Sequence, residues 1–189
     1  MYEEHVPDRV LAPAECAALA RTVAAVVAAP DATGEGSFSL LWRTAHSEGW
    51  LNVWPESREA GFHDHDGSSV GVHVIEGTAS NDGISLTGAP TLRRFSAGDS
   101  FSLGPDRIHR MVHDAGSVTL HVYSPPLRAI GDYAVVEGKL RRVTHSPDEM
   151  SPPSIGLWAG ARAYGSTTSL PAALPASMSA WAVVISSSV

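Results

Sequence analysis

An all-β sandwich or barrel with one helix in front of it is the fold class this sequence predicts. Three observations carry the prediction: a single helix-like stretch at the N-terminus, eight or so short apolar or alternating pieces after it, and turn residues between those pieces. The helix is "LAPAECAALARTVAAVVAAP", dense in Ala and Val with Pro at each edge, and it is expected over about residues 13 to 29. The candidate strands are "SFSLLWR", "GWLNVW", "SVGVHVIEG", "GISLTG", "TLRRFS", "DSFSLG", "SVTLHVYS" and "DYAVVEGKLRRV", many of them alternating or β-branched and bounded by Gly, Pro, Asp or Ser.

The chain has 189 residues, a length that suits one domain with a core large enough to need no disulfide. Residues 1–150 form that domain in this division. From residue 151 the composition shifts to Pro, Ser and Ala with Arg162 as the only charge, so 151–189 is expected to be an ill-ordered or loosely docked tail. The net charge is −7 with Lys and Arg scattered, which argues against nucleic acid as a partner. The acidic start "MYEEHVPDRV" is no secretory signal, and no apolar run reaches the roughly 20 residues of a membrane span. With a single cysteine, Cys16, the expectation is a cytoplasmic protein, monomeric or a small homo-oligomer.

The chemistry concentrates in "GFHDHDGSSVGVHVIEG", residues 61 to 77. In a strand, residues two apart face the same side, so His63 and His65 can present two imidazoles to one metal ion. Two surface histidines beside an Asp- and Ser-rich turn are the plain alternative. "AGDSFSLGPDRIHRMVHD" supplies a third, His109, on a later strand able to return beside the first, whereas His113 is expected at the surface or behind the ligands. Farther on, Thr119, His121 and Tyr123 alternate along one strand, and three polar residues on a buried face are costly unless they hydrogen-bond one another.

The His-any-His motif followed by one His after a Gly-containing turn resembles the cupin superfamily, which implies a double-stranded β-helix, the jelly-roll barrel. Cupins commonly add a Glu ligand seven residues before the first motif's closing Gly. Here that place is Val70, and Glu76 lies too close to Gly77 to replace it. Three neutral imidazoles with an open face suit an anionic bidentate ligand plus dioxygen. "FHDHD", "IHRM" and "TLHVYSPPL" together are similar to the cysteine dioxygenase family of thiol dioxygenases. The resemblance implies Fe(II) on His63, His65 and His109, and Tyr123 beside the iron, held by His121, itself held by Thr119. It also implies an Arg on an early strand that grips the substrate carboxylate, for which Arg43 is the candidate, with Trp54 at the family's Trp position. The thioether crosslink of the animal enzymes cannot form, because Cys16 lies in the helix.

The implied reaction inserts both atoms of O2 into a small thiol to give a sulfinate. The thiolate supplies all four electrons, so no other reductant is needed. Cysteine is the default substrate, and 3-mercaptopropionate or a thione such as ergothioneine are alternatives. A non-catalytic cupin that binds a metal or ligand, and a zinc hydrolase using three histidines, are rivals from other classes.

Overall fold

The computed structural model describes residues 3–28, 36–84, 91–137 and 139–146. The tail predicted for 151–189 and most of "GISLTG" lie outside the described residues.

One helix, α1 (Pro13–Ala24), precedes eleven strands: β1 (Ser37–Arg43), β2 (Glu48–Trp54), β3 (Arg58–Asp64), β4 (Ser69–Glu76), β5 (Thr78–Gly83), β6 (Thr91–Ser96), β7 (Ser100–Leu103), β8 (His109–His113), β9 (Ser117–Ser124), β10 (Ile130–Val136) and β11 (Lys139–His145). They form two antiparallel sheets, ordered β1-β2-β9-β4-β7 and β11-β10-β3-β8-β5-β6. From β2 to β9 the chain changes sheet at every step except the β5–β6 hairpin, giving two interlocked four-stranded halves. That order is the jelly roll, the double-stranded β-helix. Among the described residues no helix is long and apolar enough to cross a membrane.

The inner and outer faces of the first sheet bury different things, as strand alternation requires. Val70, Val72 and Val74 of β4 point into the barrel with Met111 and Ala79. Leu120 and Val122 of β9 point outward with Trp42, onto Cys16, Leu19, Ala20 and Val23 of α1. The helix starts on Pro13, and Glu15 accepts the Ala12 N–H at 2.8 Å while Arg9 forks onto its carboxylate at 2.6 and 3.0 Å. It ends at Ala24, earlier than predicted. The N–H groups of Val26 and Val27 both fold back on the Val23 carbonyl, and this β-branched pair favours helix less than the alanines before it.

Gly71 lets the helix lie directly on β4. A Cβ there would sit 2.1 Å from the Ala17 nitrogen and 2.2 Å from the Cys16 carbonyl carbon, both backbone atoms that no rotamer change can move. We expect Gly71→Ala to lower stability by about 3 kcal/mol, a drop in thermal midpoint of ~10 °C. A midpoint within 2 °C of the native protein's would show that the helix is not seated on the sheet at this point.

Sequence reasoning ran β10 and β11 together and missed β3 and β5. The hairpin between the first pair turns at Glu137, whose φ of 53° is left-handed. β3, "REAGFHD", and β5, "TASNDG", carry too few β-formers to stand out, and each is held between two neighbouring strands instead.

Candidate metal centre

The inward faces of β3, β8 and the turn after β3 bring three imidazoles together. His63, on β3, pairs across the ladder with His109 on β8, and a bulge between Ala60 and His63 sets that alignment. His65 lies one residue past the end of β3, so it and His63 do not share a strand. One ligand nitrogen from each of His63, His65 and His109 lies within 4.8 Å of the others, and all three residues are buried.

The second nitrogen of two of these rings is already committed. His63 Nδ1–H donates to the Gly61 carbonyl at 2.8 Å, and His109 Nδ1–H donates to Asn81 Oδ1 at 2.6 Å. Both bonds turn a bare Nε2 lone pair toward the shared centre, the usual way an outer partner orients a ligating imidazole. His109 Nε2 stands 3.4 Å from His65 Nε2. Burial, with the neighbouring imidazoles, pushes the pKa of His65 and His109 well below the ordinary value, and burial lowers that of His63. Neutral, converging nitrogen donors fit a divalent metal ion.

Val70, the position at which the cupin resemblance expects a carboxylate ligand, is buried in the barrel and paired with Tyr123. Among the described residues no carboxylate joins the three histidines.

Beside the triad runs a hydrogen-bonded row along β9. Thr119 Oγ1 lies 3.1 Å from His121 Nε2, and His121 Nδ1 lies 3.2 Å from the Tyr123 hydroxyl. Trp54 of β2 extends the row: its indole N–H donates to Thr119 Oγ1 at 3.0 Å. An indole only donates, so the Thr119 oxygen accepts there. Between Thr119 and His121 Nε2, and again between His121 Nδ1 and the Tyr123 hydroxyl, either group can give the proton, and the imidazole tautomer sets which. Burial, and then the Glu48 charge, push the Tyr123 pKa up, so the phenol keeps its proton. Its ring is 5.2 Å from that of His65, centroid to centroid.

These groups line one cavity of about 480 Å³ whose remaining wall is largely aromatic and aliphatic, including Phe38, Trp50, Trp54, Leu127 and Ile130. His113 also lines it. It is buried and not at the surface, because β8 stays regular and turns His109, Met111 and His113 to the same face. Its ring stacks on Trp54 with centroids 3.9 Å apart, outside the ligand cluster, and burial lowers its pKa to about 3. His73 is no part of the wall. It hydrogen-bonds Ser100 Oγ at 2.8 Å on the outward face of β4.

Arg43 sits at the end of β1, where its Nε donates to Glu48 at 2.6 Å and its guanidinium lies 5.9 Å from the Trp50 ring centre. It is not one of the wall residues, whereas Glu48 and Trp50 are. Sequence reasoning passed over three contributors: Asn81, on the unrecognised β5; Glu48, fully buried next to Tyr123; and Arg58, on the cavity wall with no ionic partner among the described residues.

No protein-family model and no curated protein matches this sequence. Solved structures similar to it include KdgF from a Halomonas species, at 18% identity over 47% of this chain and 78% of that one, with a TM-score of 0.42. A cupin superfamily protein from Desulfitobacterium hafniense is 10% identical over 54% of this chain and 85% of its own, TM-score 0.41. An RmlC-like cupin from Desulfovibrio desulfuricans is 15% identical over 52% and 91%, TM-score 0.42.

Proposed function

We propose that this chain is an Fe(II)-dependent thiol dioxygenase that converts a thiol to its sulfinate. The observation that carries the reading is the row Trp54, Thr119, His121 and Tyr123, which ends with a phenol hydroxyl beside three converging imidazoles. A cage that only stored a metal would have no use for such a donor. Ferrous ion on His63, His65 and His109 would acidify a bound thiol and bring dioxygen to its sulfur. The chain's own part is to hold the ion on neutral ligands, to offer the Tyr123 proton to the acceptor beside it, and to exclude water with Trp50, Leu127 and Val70.

Cysteine is the default substrate, but a cavity of about 480 Å³ lies in the range that holds drug-sized ligands and leaves most of its space empty around cysteine. Larger thiols and thiones therefore gain weight. Two guanidinium groups are candidates for a carboxylate at the end away from sulfur, Arg58 on the cavity wall and Arg43 behind the wall residues Glu48 and Trp50. Arg43 would have to share itself with Glu48, whereas Arg58, with no ionic partner among the described residues, stands about 13 Å along β8 from the metal rung, reckoned at 3.3 Å per residue.

The test is oxygen uptake by the iron-loaded protein with cysteine, cysteamine, 3-mercaptopropionate and ergothioneine, for the native chain and for Arg43→Ala and Arg58→Ala. Uptake should depend on thiol. The variant that removes the carboxylate receptor should lose acidic thiols by about 10-fold or more, one charged hydrogen bond being worth 1.5–3 kcal/mol, and should keep cysteamine. No thiol-dependent uptake with any of the four would overturn the dioxygenase reading.

A further inference from the structure

The two aspartates interleaved with the metal histidines are not ligands, and the structure assigns them a different role, in which they form with Arg142 a clamp that positions His65 for the metal. The inference rests on the three-histidine site alone and is independent of thiol oxidation.

His65 is the ligand with the least backbone support. β3 ends at Asp64, whose ladder partner is Gly131 of β10, and the next residues enter a tight turn in which Asp66 takes a left-handed φ of 48°. A ligand one residue beyond a ladder is free to swing unless something outside the ladder fixes the turn. Arg142 does so from β11. Its Nε and Nη2 donate to the two oxygens of Asp64 at 2.8 and 2.7 Å, and the same Nη2 donates to Asp66 Oδ1 at 2.9 Å. One planar guanidinium thus grips the residues on both sides of His65. The Tyr133 hydroxyl adds a further bond to Asp64 at 2.5 Å, and the Asp66 N–H donates back to Asp64 Oδ1 at 2.9 Å. With Asp64 and Asp66 pulled outward onto the hairpin, alternation sends His63 and His65 inward.

The fold makes room for this contact. At Gly131, a Cβ would stand 2.1 Å from Arg142 Nε and 2.3 Å from its central carbon, so the absent side chain is the slot through which the guanidinium reaches Asp64. The Asp64 side chain is 13% exposed and Arg142 32%, so the clamp is shielded enough to count yet lies outside the metal cavity. The β10–β11 hairpin, which contributes no ligand, becomes by this route a part of the metal site.

The experiment is a Co(II) titration of the full chain, read by its visible absorption, with Arg142→Met, Arg142→Lys and Asp66→Asn beside the native protein and the metal-free thermal midpoint measured for each. Arg142→Met should weaken Co(II) binding about 10- to 100-fold, the usual cost of removing a partner behind a ligand, and shift the Co(II) bands as the His65 nitrogen is lost. Arg142→Lys should not rescue it, because one ammonium cannot span both carboxylates. Asp66→Asn, which leaves the Asp64 fork intact, should give a smaller loss and the same direction of band shift. Native affinity and bands in a folded Arg142→Met overturn the inference. If that variant does not fold, native affinity in Asp66→Asn overturns it equally.

Discussion

His109→Ala should leave a folded protein that no longer retains a divalent metal through gel filtration, whereas His113→Ala should retain it in full. The two residues stand on one face of the same short strand, both almost completely buried, and differ in what their nitrogens meet. His109 Nε2 converges with His63 and His65, and Asn81 fixes its tautomer from behind. Without it two imidazoles remain, too few for a stable site of this kind. His113 lies four residues on and stacks on Trp54, so its loss costs packing and not ligation. Asn81→Ala should fall between, weakening the metal about 10- to 100-fold through the His109 ring orientation. Metal analysis by mass spectrometry reads all three, and a metal-free His113→Ala would mean the ligand set is wrong.

Acid should destabilise the metal-free protein well before it touches the carboxylates. His63, His65, His109, His113 and His121 are held in the neutral form, above all by burial, and for His113 the folded value is about 3. The unfolded chain protonates its imidazoles near pH 6.5 and the folded chain resists, so between these limits the unfolded state binds more protons and stability falls as pH falls. Each such imidazole costs about 1.4 kcal/mol per pH unit below 6.5. Acting together in one cluster, they make the loss by pH 5.5 a large part of the stability of an ordinary domain. Urea midpoints in chelator at pH 7.5, 6.5 and 5.5 measure the effect. Equal midpoints at all three would show that these rings are not buried as neutral groups. The Asp64 and Arg142 pair does not interfere, because its carboxyl is held below the usual range and titrates far under this window.

Much of this molecule was legible wherever a strand buries one face and shows alternation. "SFSLLWR" and "SVTLHVYS" match β1 and β9 residue for residue, and the β9 row was readable because three polar groups at period two make sense only as partners. β3 and β5 were not legible: their residues are polar or small, and it is the strands on either side that make them extended. The site followed the same division. Histidines announce themselves by residue type, and His63, His65 and His109 do meet. Asn81, Glu48 and Arg142 could not be found, since each owes its place to pairings between distant segments that no local pattern encodes. Arg43 was chosen as an arginine on an early strand, but the register shift between Leu40 and Trp42 and the pull of buried Glu48 set where its head lies.

The Trp54 indole at the head of the β9 row has a consequence for what the site can welcome. A chain of hydroxyls and imidazoles can reverse its sense by shifting every proton one place, and a reversible chain tolerates either a donor or an acceptor at its open end. An indole cannot take part in such a reversal, because its nitrogen has a hydrogen and no lone pair to offer. Closed by Trp54 at one end, the row has one lone pair of the Thr119 oxygen permanently taken, so only the stretch from Thr119 to Tyr123 can change its sense. Whatever molecule lies against that phenol meets a hydroxyl that can both give and accept, and the buried stretch behind it can adjust to either.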